Sequence, residues 1–477
     1  MTRAVVVGSG PNGLAAAVTL AAAGVEVVVR EAADVPGGGV RSVEATLPGL
    51  VHDECSGFHP FATESVFARR FDLEAEGLRW AWPEVQYAHP LDDGRGAHVV
   101  RSVAETAQGL GPDRRAYNRL FGGLARHFDT TSTEFLQPLA HVPRHPFGLA
   151  RLGRSATLSA STVARRFDTD EARGLWAGVA VHAFRPLDTA FSAAAGLALA
   201  VAAHRFGWPV AVGGSGAVAG TLVRMLERMG GRVETGARVD SVDDLPIDLS
   251  GGDLLLLDTS PPAASRILGA KLSERTRRGY DRWTFGVAAF QVSLAVEGGL
   301  PWSYEPARRS GVVHLGGTFE EIAEAEAQAN AGTMPRRPFV LLGQQYLADP
   351  SRSVGDVHPV DAYAHVPHAY GEDVTELVLD QVERFAPGAR ERIRAVTTRS
   401  PARIEQDNEN FVGGDIATGE KNPVQLLVGP RKATNPYRTG AAGAYLCSAA
   451  LPPGPGAHGI VGHLAARTAL EDLGLLR

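Results

Sequence analysis

Four residues near the start of the chain have the types and spacing that dinucleotide binding requires. Gly8, Gly10 and Gly13 form a G-x-G-x-x-G turn, and Glu31 follows 18 residues after the last of these glycines. In such a turn the first glycine permits a tight bend, the second lets the backbone approach a pyrophosphate, and the third lets a helix pack on a strand. A carboxylate at the position of Glu31 accepts hydrogen bonds from a ribose 2′-hydroxyl. The pattern therefore predicts a dinucleotide site.

The segments around this turn are the elements that would position it. Residues 4–7 are apolar and β-branched, as in a buried strand, and residues 14–23 form an alanine-rich helix that Gly24 ends. Residues 25–30 predict a second strand, which places Glu31 at its end. The start of the helix offers free N–H groups and the positive end of a dipole to phosphates. Because strand, helix and acid come in the required order, we predict a Rossmann unit rather than a structural turn.

A second glycine cluster follows Glu31. Residues 36–42 have the sequence PGGGVRS, which resembles the GGxxR extension of a large group of FAD-dependent oxidoreductases that includes amine oxidases and phytoene desaturases. The resemblance implies that Gly38 and Gly39 pass close to the FAD diphosphate and that Arg41 adds positive charge there. Guanidinium groups pair well with phosphate oxygens. The alternative is a flexible surface loop with a solvated arginine.

The C-terminal part contains a matching segment. Residues 444–447 (AYLC) are strand-like, and a loop rich in proline and glycine leads into an alanine-rich helix that ends near residue 471. This segment resembles the C-terminal flavin motif of the phytoene desaturase-related family, YLCxxxxPPGGGVHG, with Pro455 where glycine is usual. The resemblance implies that backbone N–H groups at the helix start stabilise charge on the reduced flavin. The residues implied to lie beside the flavin are Gly456, His458, Gly459 and Ile460.

Further segments in family order extend the resemblance along the whole chain. They are TLPG at 46–49 with His52 and Asp53, GWP at 207–209 with GGSG at 213–216, GGDI at 413–416 and YRT at 437–439. The chain is therefore similar to the phytoene desaturase-related FAD-dependent oxidoreductases of the amine-oxidase-type superfamily. The resemblance implies one non-covalent FAD, with the backbone of Val239 near the adenine. It implies an α/β fold: a Rossmann-type FAD-binding domain of the two-dinucleotide-binding-domain flavoprotein kind, with a discontinuous α+β substrate domain.

The two domains are predicted to interleave along the chain. We assign residues 1–75, 206–265 and 400–477 to the FAD-binding domain, and residues 76–205 and 266–399 to the substrate-binding domain. Strand patterns occur at 287–296, 340–346 and 362–368. Residues 319–331 predict an exposed helix with acids along its solvated face. The apolar run 191–203 is too short to span a bilayer and is predicted as a core helix.

Candidates for proton transfer are few. We take His59 and His458 as the catalytic candidates, because their motifs should flank the flavin. Histidines are considered because their charge changes near neutral pH. The chain has no metal-ligand spacing and no nucleophile motif of a hydrolase, so no metal site is predicted. The histidines that could titrate near neutrality are His59, His182, His365, His368 and His458.

Three other features concern the chemistry. Gln291 and Ser293 stand where the family often has a lysine and an aspartate, which indicates either an altered reaction or the loss of a surface ion pair. Residues 213–220 (GGSGAVAG) could form a second dinucleotide loop for NAD(P)H, although Thr235 stands where a ribose-selecting residue is expected. Tyr363 alternates with His365 on one face of a predicted strand and could line a pocket.

Composition restricts the class of protein. The 477 residues are 21% charged and 44% hydrophobic, with a net charge of −6, which is typical of a globular enzyme. No basic stripe points to nucleic acid, and two cysteines cannot form a disulfide framework. We therefore expect a cytoplasmic protein with no nucleic-acid partner and at most a peripheral membrane contact.

The expected activity is that of an FAD-dependent dehydrogenase, desaturase or oxidase. Such an enzyme takes hydride from a C–H bond of a largely apolar small molecule onto flavin N5, and dioxygen or a quinone then reoxidises the flavin. The alternatives are a flavin-dependent cis–trans isomerase of a polyene, an amine oxidase, and a non-enzymatic prenyl-escort-like binding protein on the same fold. The sequence leaves the substrate and the oligomeric state open.

Overall fold

The strands build two main sheets. A computed structural model of the chain describes residues 2–138 and 141–476. In chain order the strands are β1 (Arg3–Val7), β2 (Glu26–Arg30), β3 (Ser42–Val43), β4 (His52–Asp53), β5 (Trp80–Ala81), β6 (Val85–Pro90), β7 (Gly96–Val99), β8 (Val210–Ala211), β9 (Arg232–Glu234), β10 (Leu254–Leu257), β11 (Ala288–Glu297), β12 (Ser310–Leu315), β13 (Val340–Gly343), β14 (Val357–Val366), β15 (Ile393–Arg399) and β16 (Ala444–Leu446).

The helices cover these sheets and form a helical layer of their own. In chain order they are α1 (Pro11–Ala21), α2 (Val66–Phe71), α3 (Val103–Gly109), α4 (Arg114–Tyr117), α5 (Gly123–Arg126), α6 (Phe128–Phe135), α7 (Pro146–Ala156), α8 (Ala160–Ala164), α9 (Asp170–Ala180), α10 (Ala193–Arg205), α11 (Gly216–Arg228), α12 (Pro261–Leu268), α13 (Glu274–Asp281), α14 (Phe319–Asn330), α15 (Thr375–Phe385), α16 (Ala389–Arg392), α17 (Pro401–Asp407), α18 (Pro423–Val428) and α19 (Ile460–Asp472).

The first sheet has five parallel strands in the order β16-β10-β1-β2-β9. Its central strands β1 and β10 are almost entirely apolar, because helices cover both faces of a parallel sheet. Helices α1 and α19 cross so closely that a Cβ on Gly462 would lie 1.8 Å from the carbonyl oxygen of Asn12. The predicted Rossmann-type dinucleotide-binding domain is thereby confirmed.

The second sheet has seven strands in the order β15-β11-β14-β13-β12-β6-β7. Its neighbours are antiparallel except for β12 and β6, which run parallel. One apolar core lies between this sheet and α15, and another joins it to the helices between residues 103 and 205. The predicted α/β fold with a second, α+β part is confirmed. The strands of each sheet fall within the segments predicted for the two domains, while the domain boundaries themselves stay a prediction.

A buried ion-pair network joins the segments between the two sheets. The fully buried guanidinium of Arg352 donates to Asp53 at 2.6 Å, to Asp349 at 3.2 Å and to the carbonyl oxygen of Ala211 at 2.8 Å. Asp53 also accepts the backbone N–H of Ser215 at 2.7 Å. Charges taken out of water must be paired and hydrogen-bonded. This network therefore holds β4, β8 and the segment between β13 and β14 together.

Two local predictions need correction. The helix at 319–331 is present as α14, but its acids do not all lie on the solvated face, because Glu326 is completely buried against His365. Gln291 and Ser293 are not at the surface either. Gln291 donates to the carbonyl oxygen of Asp53 at 3.1 Å, and both side chains are buried in β11. The interpretation of a lost surface ion pair is therefore wrong.

Candidate functional site

The fingerprint turn lies at the carboxyl end of β1, as the pattern predicts. Gly8 has φ +96°, which favours glycine, and a Cβ on Gly13 would lie 2.1 Å from the carbonyl oxygen of Gly8. A Cβ on Gly10 would lie 2.6 Å from the carboxylate of Asp258. Close approach of neighbouring atoms, backbone at Gly8 and Gly13 and a carboxylate at Gly10, thus leaves no room for a Cβ, and Gly8 and Gly10 face a large cavity.

Glu31 follows β2 directly and lines the same cavity. Its Oε2 accepts the N–H and hydroxyl of Ser9 at 2.8 and 2.5 Å, and its Oε1 accepts the N–H of Ala33 at 2.8 Å. The carboxylate therefore holds the fingerprint turn against the second strand. An ionised carboxylate offers about four acceptor sites, so acceptor capacity remains for a ribose hydroxyl.

Asp258 is a site residue that the sequence analysis missed. It follows β10, and its Oδ2 accepts the backbone N–H of Gly13 at 2.8 Å. Burial raises the pKa of this carboxyl to about 7; the Gly13 N–H opposes the rise, and the nearby charge of Glu31 adds to it. Its position could have been predicted from the sequence, because it is an acid that directly follows a buried apolar strand. Ligands of such sheets bind at the carboxyl ends of the strands.

The second glycine cluster forms a single 3₁₀ turn, Gly38–Val40, beside the fingerprint. A Cβ on Gly38 would lie 3.0 Å from the Cα of Gly10, and a Cβ on Gly39 would lie 3.2 Å from the ring of Phe411. Arg41 lines the cavity, but its Nε donates to Glu54 at 2.6 Å and another nitrogen donates to a main-chain oxygen of α17. The charge that Arg41 was expected to add is therefore largely balanced by Glu54.

The C-terminal loop closes the same cavity. Gly456 and His458 line it, whereas Gly459 lies behind the wall, where an added Cβ would meet α1 and α2. Ile460 is fully buried, and its N–H donates to Nδ1 of His458 at 3.1 Å. This N–H at the start of α19 is thus already bonded within the protein, contrary to the expectation that it faces a flavin.

Buried polar atoms without a protein partner gather at one edge of the first sheet. Among the described residues, Asn12 Oδ1, Thr259 Oγ1 and Ser448 Oγ have no hydrogen-bond partner, although all three are buried. They follow β1, β10 and β16, and all three residues line the cavity. Buried polar groups are nearly always satisfied, so these atoms indicate a polar ligand at the carboxyl ends of the strands.

The cavity is continuous and has a volume of about 1090 Å³. Pockets for one small molecule measure roughly 300–1,000 Å³, so this cavity lies just above the upper end of that range. Val239, which was predicted to contact adenine, lines the end near Glu31. The cavity then passes the fingerprint turn and enters an apolar limb between α10 and the second sheet.

The apolar limb explains the composition of α10. Ala194, Ala195, Ala198 and Leu199 are half-buried and line the cavity on one helix face, while the rest of the helix packs in the core. Tyr363, Phe184 and Phe61 also line the limb. The predicted core helix is therefore also a wall of the site, where small side chains leave space. Tyr363 lines the cavity as expected, whereas His365 packs behind Phe184, with ring centroids 4.3 Å apart.

The two catalytic candidates are placed beside the cavity but do not titrate near neutrality. Burial lowers the pKa of His59 to about 3 and that of His458 to about 4. Nε2 of His59 lies 3.0 Å from the hydroxyl of Ser215, which itself donates to the carbonyl oxygen of Ser56. Nε2 of His59 must therefore carry the proton. Burial also lowers the pKa of His182 to about 3, so a neutral ring faces the cavity there.

Two buried histidines, His314 and His365, lie behind the limb. Nε2 of His314 lies 3.2 Å from Nε2 of the cavity-lining His182, and Nδ1 of His365 lies 2.6 Å from Glu326. His368 instead lies at the surface, with Nδ1 on the carbonyl oxygen of Gly286. Among the described residues no group of histidine, cysteine and acid side chains has the arrangement of a metal site.

The turn at 213–216 does not form a second dinucleotide loop. Its N–H groups are taken by protein acceptors: Gly213 donates to Asp349 at 2.7 Å, and Gly216 donates to the hydroxyl of Ser42 at 2.9 Å. After α11 the chain enters the edge strand β9, and Thr235 directly follows that strand. The NAD(P)H alternative therefore has no donors left to bind a phosphate.

Comparisons with known proteins agree with this architecture. The profile of the NAD(P)-binding Rossmann-like domain family matches residues 6–71. No curated protein matches the chain. The chain resembles an oxidoreductase from Methanosarcina mazei, with TM-score 0.67 and 15% identity over 98% of this chain and 100% of that one.

Two amine oxidases of known structure are also similar to the chain. One is putrescine oxidase with bound putrescine, with TM-score 0.63 and 18% identity over 99% of each chain. The other is cyclohexylamine oxidase from Brevibacterium oxydans, with TM-score 0.60 and 15% identity over 99% of each chain. At these identities the likeness shows the fold alone. Within residues 2–138 and 141–476, no helix is both long and apolar enough to cross a membrane.

Proposed function

We propose that the protein is an FAD-dependent oxidoreductase that takes hydride from a C–H bond of a largely apolar small molecule. The observation that supports this most is the single cavity that joins the fingerprint turn to the apolar limb. Bound FAD would supply the redox chemistry by accepting hydride at N5. The chain would supply binding, orientation and exclusion of water.

The residues around the fingerprint turn fit FAD. Gly8 and Gly10 line the cavity and would lie beside the diphosphate, and the close approach of Asp258 leaves neither of them room for a Cβ. Glu31 would hold the adenosine ribose, with Val239 beside the adenine and Gly38 and Gly39 near the diphosphate. The unpartnered Asn12, Thr259 and Ser448 supply further polar contacts.

The apolar limb suits the second molecule. Its wall combines the small side chains of α10 with the rings of Phe61, Phe184 and Tyr363. Such a wall excludes water, and it binds hydrocarbon by removing apolar surface from solvent. His182 presents a neutral ring to this space, which suits hydrogen bonding better than proton storage.

The phytoene desaturase-related assignment is part of the proposal. It rests on the motifs at both ends of the chain, and dioxygen or a quinone is the proposed electron acceptor. Isomerisation of a polyene would use the same cavity without net redox change. A prenyl-escort-like protein would have no use for the unpartnered polar atoms at the sheet edge, so the binding-protein alternative is disfavoured.

We also propose that any membrane contact of this protein is made by one basic surface around α7. Phe147 and Val142 are about 90% exposed there, and no acid occurs between Glu134 and Asp168. Exposed cations and aromatic rings favour anionic lipid surfaces. The neighbouring Phe135 lines the cavity. The arginines of this surface are exposed and form no salt bridge with any described residue: Arg144, Arg151, Arg154, Arg165 and Arg166.

Anaerobic reduction of the holoprotein tests the redox proposal. Candidate substrates are mixed with FAD-loaded protein without oxygen, and the loss of the visible flavin absorbance is followed. A saturated or partly unsaturated apolar compound should bleach the flavin and yield a product with one more double bond. Bleaching by alkylamines with release of ammonia would replace this proposal with an amine oxidase.

A further inference from the structure

Two cationic side chains line the apolar limb of the cavity. Arg185 lies in the loop after the 3₁₀ turn Val181–Ala183, and Lys421 lies just before α18. The guanidinium of Arg185 donates to the main-chain oxygen of Lys421 and, through Nε, to the hydroxyl of Thr189 at 2.9 Å. The Nζ of Lys421 donates to the carbonyl oxygen of Ala417 at 2.6 Å. These bonds fix both cations at the cavity wall.

Neither cation forms a salt bridge with any residue in 2–138 or 141–476. Asp415, whose charge acts on Lys421, accepts the N–H groups of Gly286, Ala417 and Gly419 at 2.8 to 2.9 Å. The acid beside Arg185, Glu420, accepts from the hydroxyl of Thr284 at 3.0 Å. The positive charge at this wall is therefore only partly compensated.

Burial lowers the pKa of both cationic side chains. Burial lowers the pKa of Lys421 to about 8, and the charge of Asp415 offsets only part of this. Burial likewise lowers the pKa of Arg185, against the charge of Glu420. A buried cation loses hydration, and an anion in the cavity would restore its stabilisation.

Acids and arginines both line the dinucleotide end of the cavity, where Glu31 and Asp258 flank the fingerprint turn. Arg30, Arg41 and Arg238 line the cavity too, and each of them forms a salt bridge with an acid. Arg185 and Lys421 lie instead beside Phe184 and Ala417, which pack together in a cluster with β14. A ligand that spans the apolar limb thus meets hydrocarbon walls and a positive terminus.

We infer that the second molecule has an apolar body and an oxyanion head, a carboxylate or a phosphate, which Arg185 and Lys421 bind. This inference rests on the proposed function, because the limb must lead to the flavin for the molecule to be the substrate. The planar fork of arginine matches the two oxygens of either head, and lysine adds a point charge. Aliphatic amines are disfavoured, since their ammonium group would meet two cations.

Titration calorimetry with four decyl compounds tests the head group. Decanoate, decyl phosphate, decanol and decylamine share one apolar body, and they are titrated into FAD-loaded protein below their micelle concentrations. We expect decanoate or decyl phosphate to bind about 10- to 100-fold more tightly than decanol, which corresponds to one or two charge-assisted hydrogen bonds. The tighter of the two anions identifies the head. Decylamine should bind most weakly.

Matched variants locate the binding. Lys421→Met and Arg185→Gln should each weaken the preferred anion about tenfold or more and leave decanol within about twofold, whereas Arg185→Lys should restore part of the affinity. Lys432→Met removes an exposed lysine of the same segment that does not line the cavity, so it should change nothing. Melting temperature shows whether each variant is folded.

Three results would overturn the inference. They are equal affinity for decanol and the anions, equal loss of decanol and anion affinity in the two variants, and tighter binding of decylamine. The heat signal does not depend on the flavin, so failure of the proposed redox function is recorded separately. If the protein is colourless but still binds decanoate, the flavin proposal fails and the anion site stands.

Discussion

Replacing Asp258 by asparagine should make the protein more stable, and more so as the pH rises. The side chain is 8% exposed, and its pKa lies near 7 instead of the usual 3.8, because burial penalises the carboxylate. Asparagine has the same shape, cannot ionise, and can still accept the N–H of Gly13 through its amide oxygen. The substitution therefore removes the charge and keeps the contact.

The size of the effect follows from linkage. Between pH 3.8 and about 7 the folded protein binds more protons at Asp258 than the unfolded chain, so the free energy of unfolding falls as pH rises through this window and levels off above it. At ~1.36 kcal/mol per pKa unit, the carboxylate destabilises the folded protein by about 2 kcal/mol at pH 5 and by about 4 kcal/mol at pH 8. The gain in Asp258→Asn should thus grow by roughly 2 to 3 kcal/mol between these pH values.

Urea denaturation of FAD-free protein at the two pH values measures this difference directly. Asp253→Asn is the matched control, because Asp253 lies at the other end of β10 and its ionised form is stabilised. Burial opposes it, but hydrogen bonds from Arg3 and from the N–H of Asp248 lower its pKa. This variant should lose stability at both pH values, since its carboxylate stabilises the fold wherever it is ionised.

The same carboxyl should couple FAD binding to proton uptake. A diphosphate at the fingerprint turn would favour protonated Asp258, so wild-type affinity for FAD should fall above about pH 7, while Asp258→Asn should be less sensitive. Parallel profiles of the free energy of unfolding against pH for wild type and Asp258→Asn would mean that Asp258 has an ordinary pKa, and would contradict both predictions.

Four further predictions concern single positions. Gly13→Ala places a Cβ 2.1 Å from a carbonyl oxygen, so it should cost about 1–3 kcal/mol and abolish FAD retention in cofactor assays; Gly109→Ala, where nothing lies within 4 Å, is the neutral control. Arg352→Met should lower the free energy of unfolding by about 3–5 kcal/mol in urea, because it leaves buried carboxylates unpaired; a change below about 1 kcal/mol would contradict this. Affinity for decanoate should fall as pH rises through about 8, where Lys421 loses its charge, and Lys421→Met should remove most of that dependence in calorimetry. Phe147→Ser should weaken co-sedimentation with anionic phosphatidylglycerol vesicles about tenfold and leave neutral vesicles unaffected; equal binding by both proteins would remove the proposed membrane surface.

The parts of the fold that the sequence predicted are local in sequence. The strand, turn and helix around Gly10, the acid at Glu31 and the loop before α19 each lie within a few tens of residues, where spacing alone specifies geometry. The motifs that contain His59 and His458 also correctly predicted that these two residues lie at the wall of the cavity. Their protonation was not predictable, because burial of His59 depends on segments more than a hundred residues away, such as Ser215.

The residues that were missed come from distant segments. Asp258 meets the fingerprint turn only because β10 pairs with β1, and no spacing rule links it to Gly13. Lys421 and Arg185 are 236 residues apart, and neither belongs to a motif. Glu326 looked like one acid among several on an exposed helix until packing placed it against His365. Charge at these positions is set by tertiary packing, which one sequence does not encode locally.

The proposed function depends on FAD binding in the cavity at the fingerprint turn. The most direct measurement is the visible absorption spectrum of the purified protein, followed by identification of the cofactor released on denaturation. We expect a flavin spectrum with one FAD per chain, and loss of that FAD in Gly13→Ala. A colourless protein that also fails to take up added FAD would contradict FAD binding and favour a binding protein without flavin chemistry.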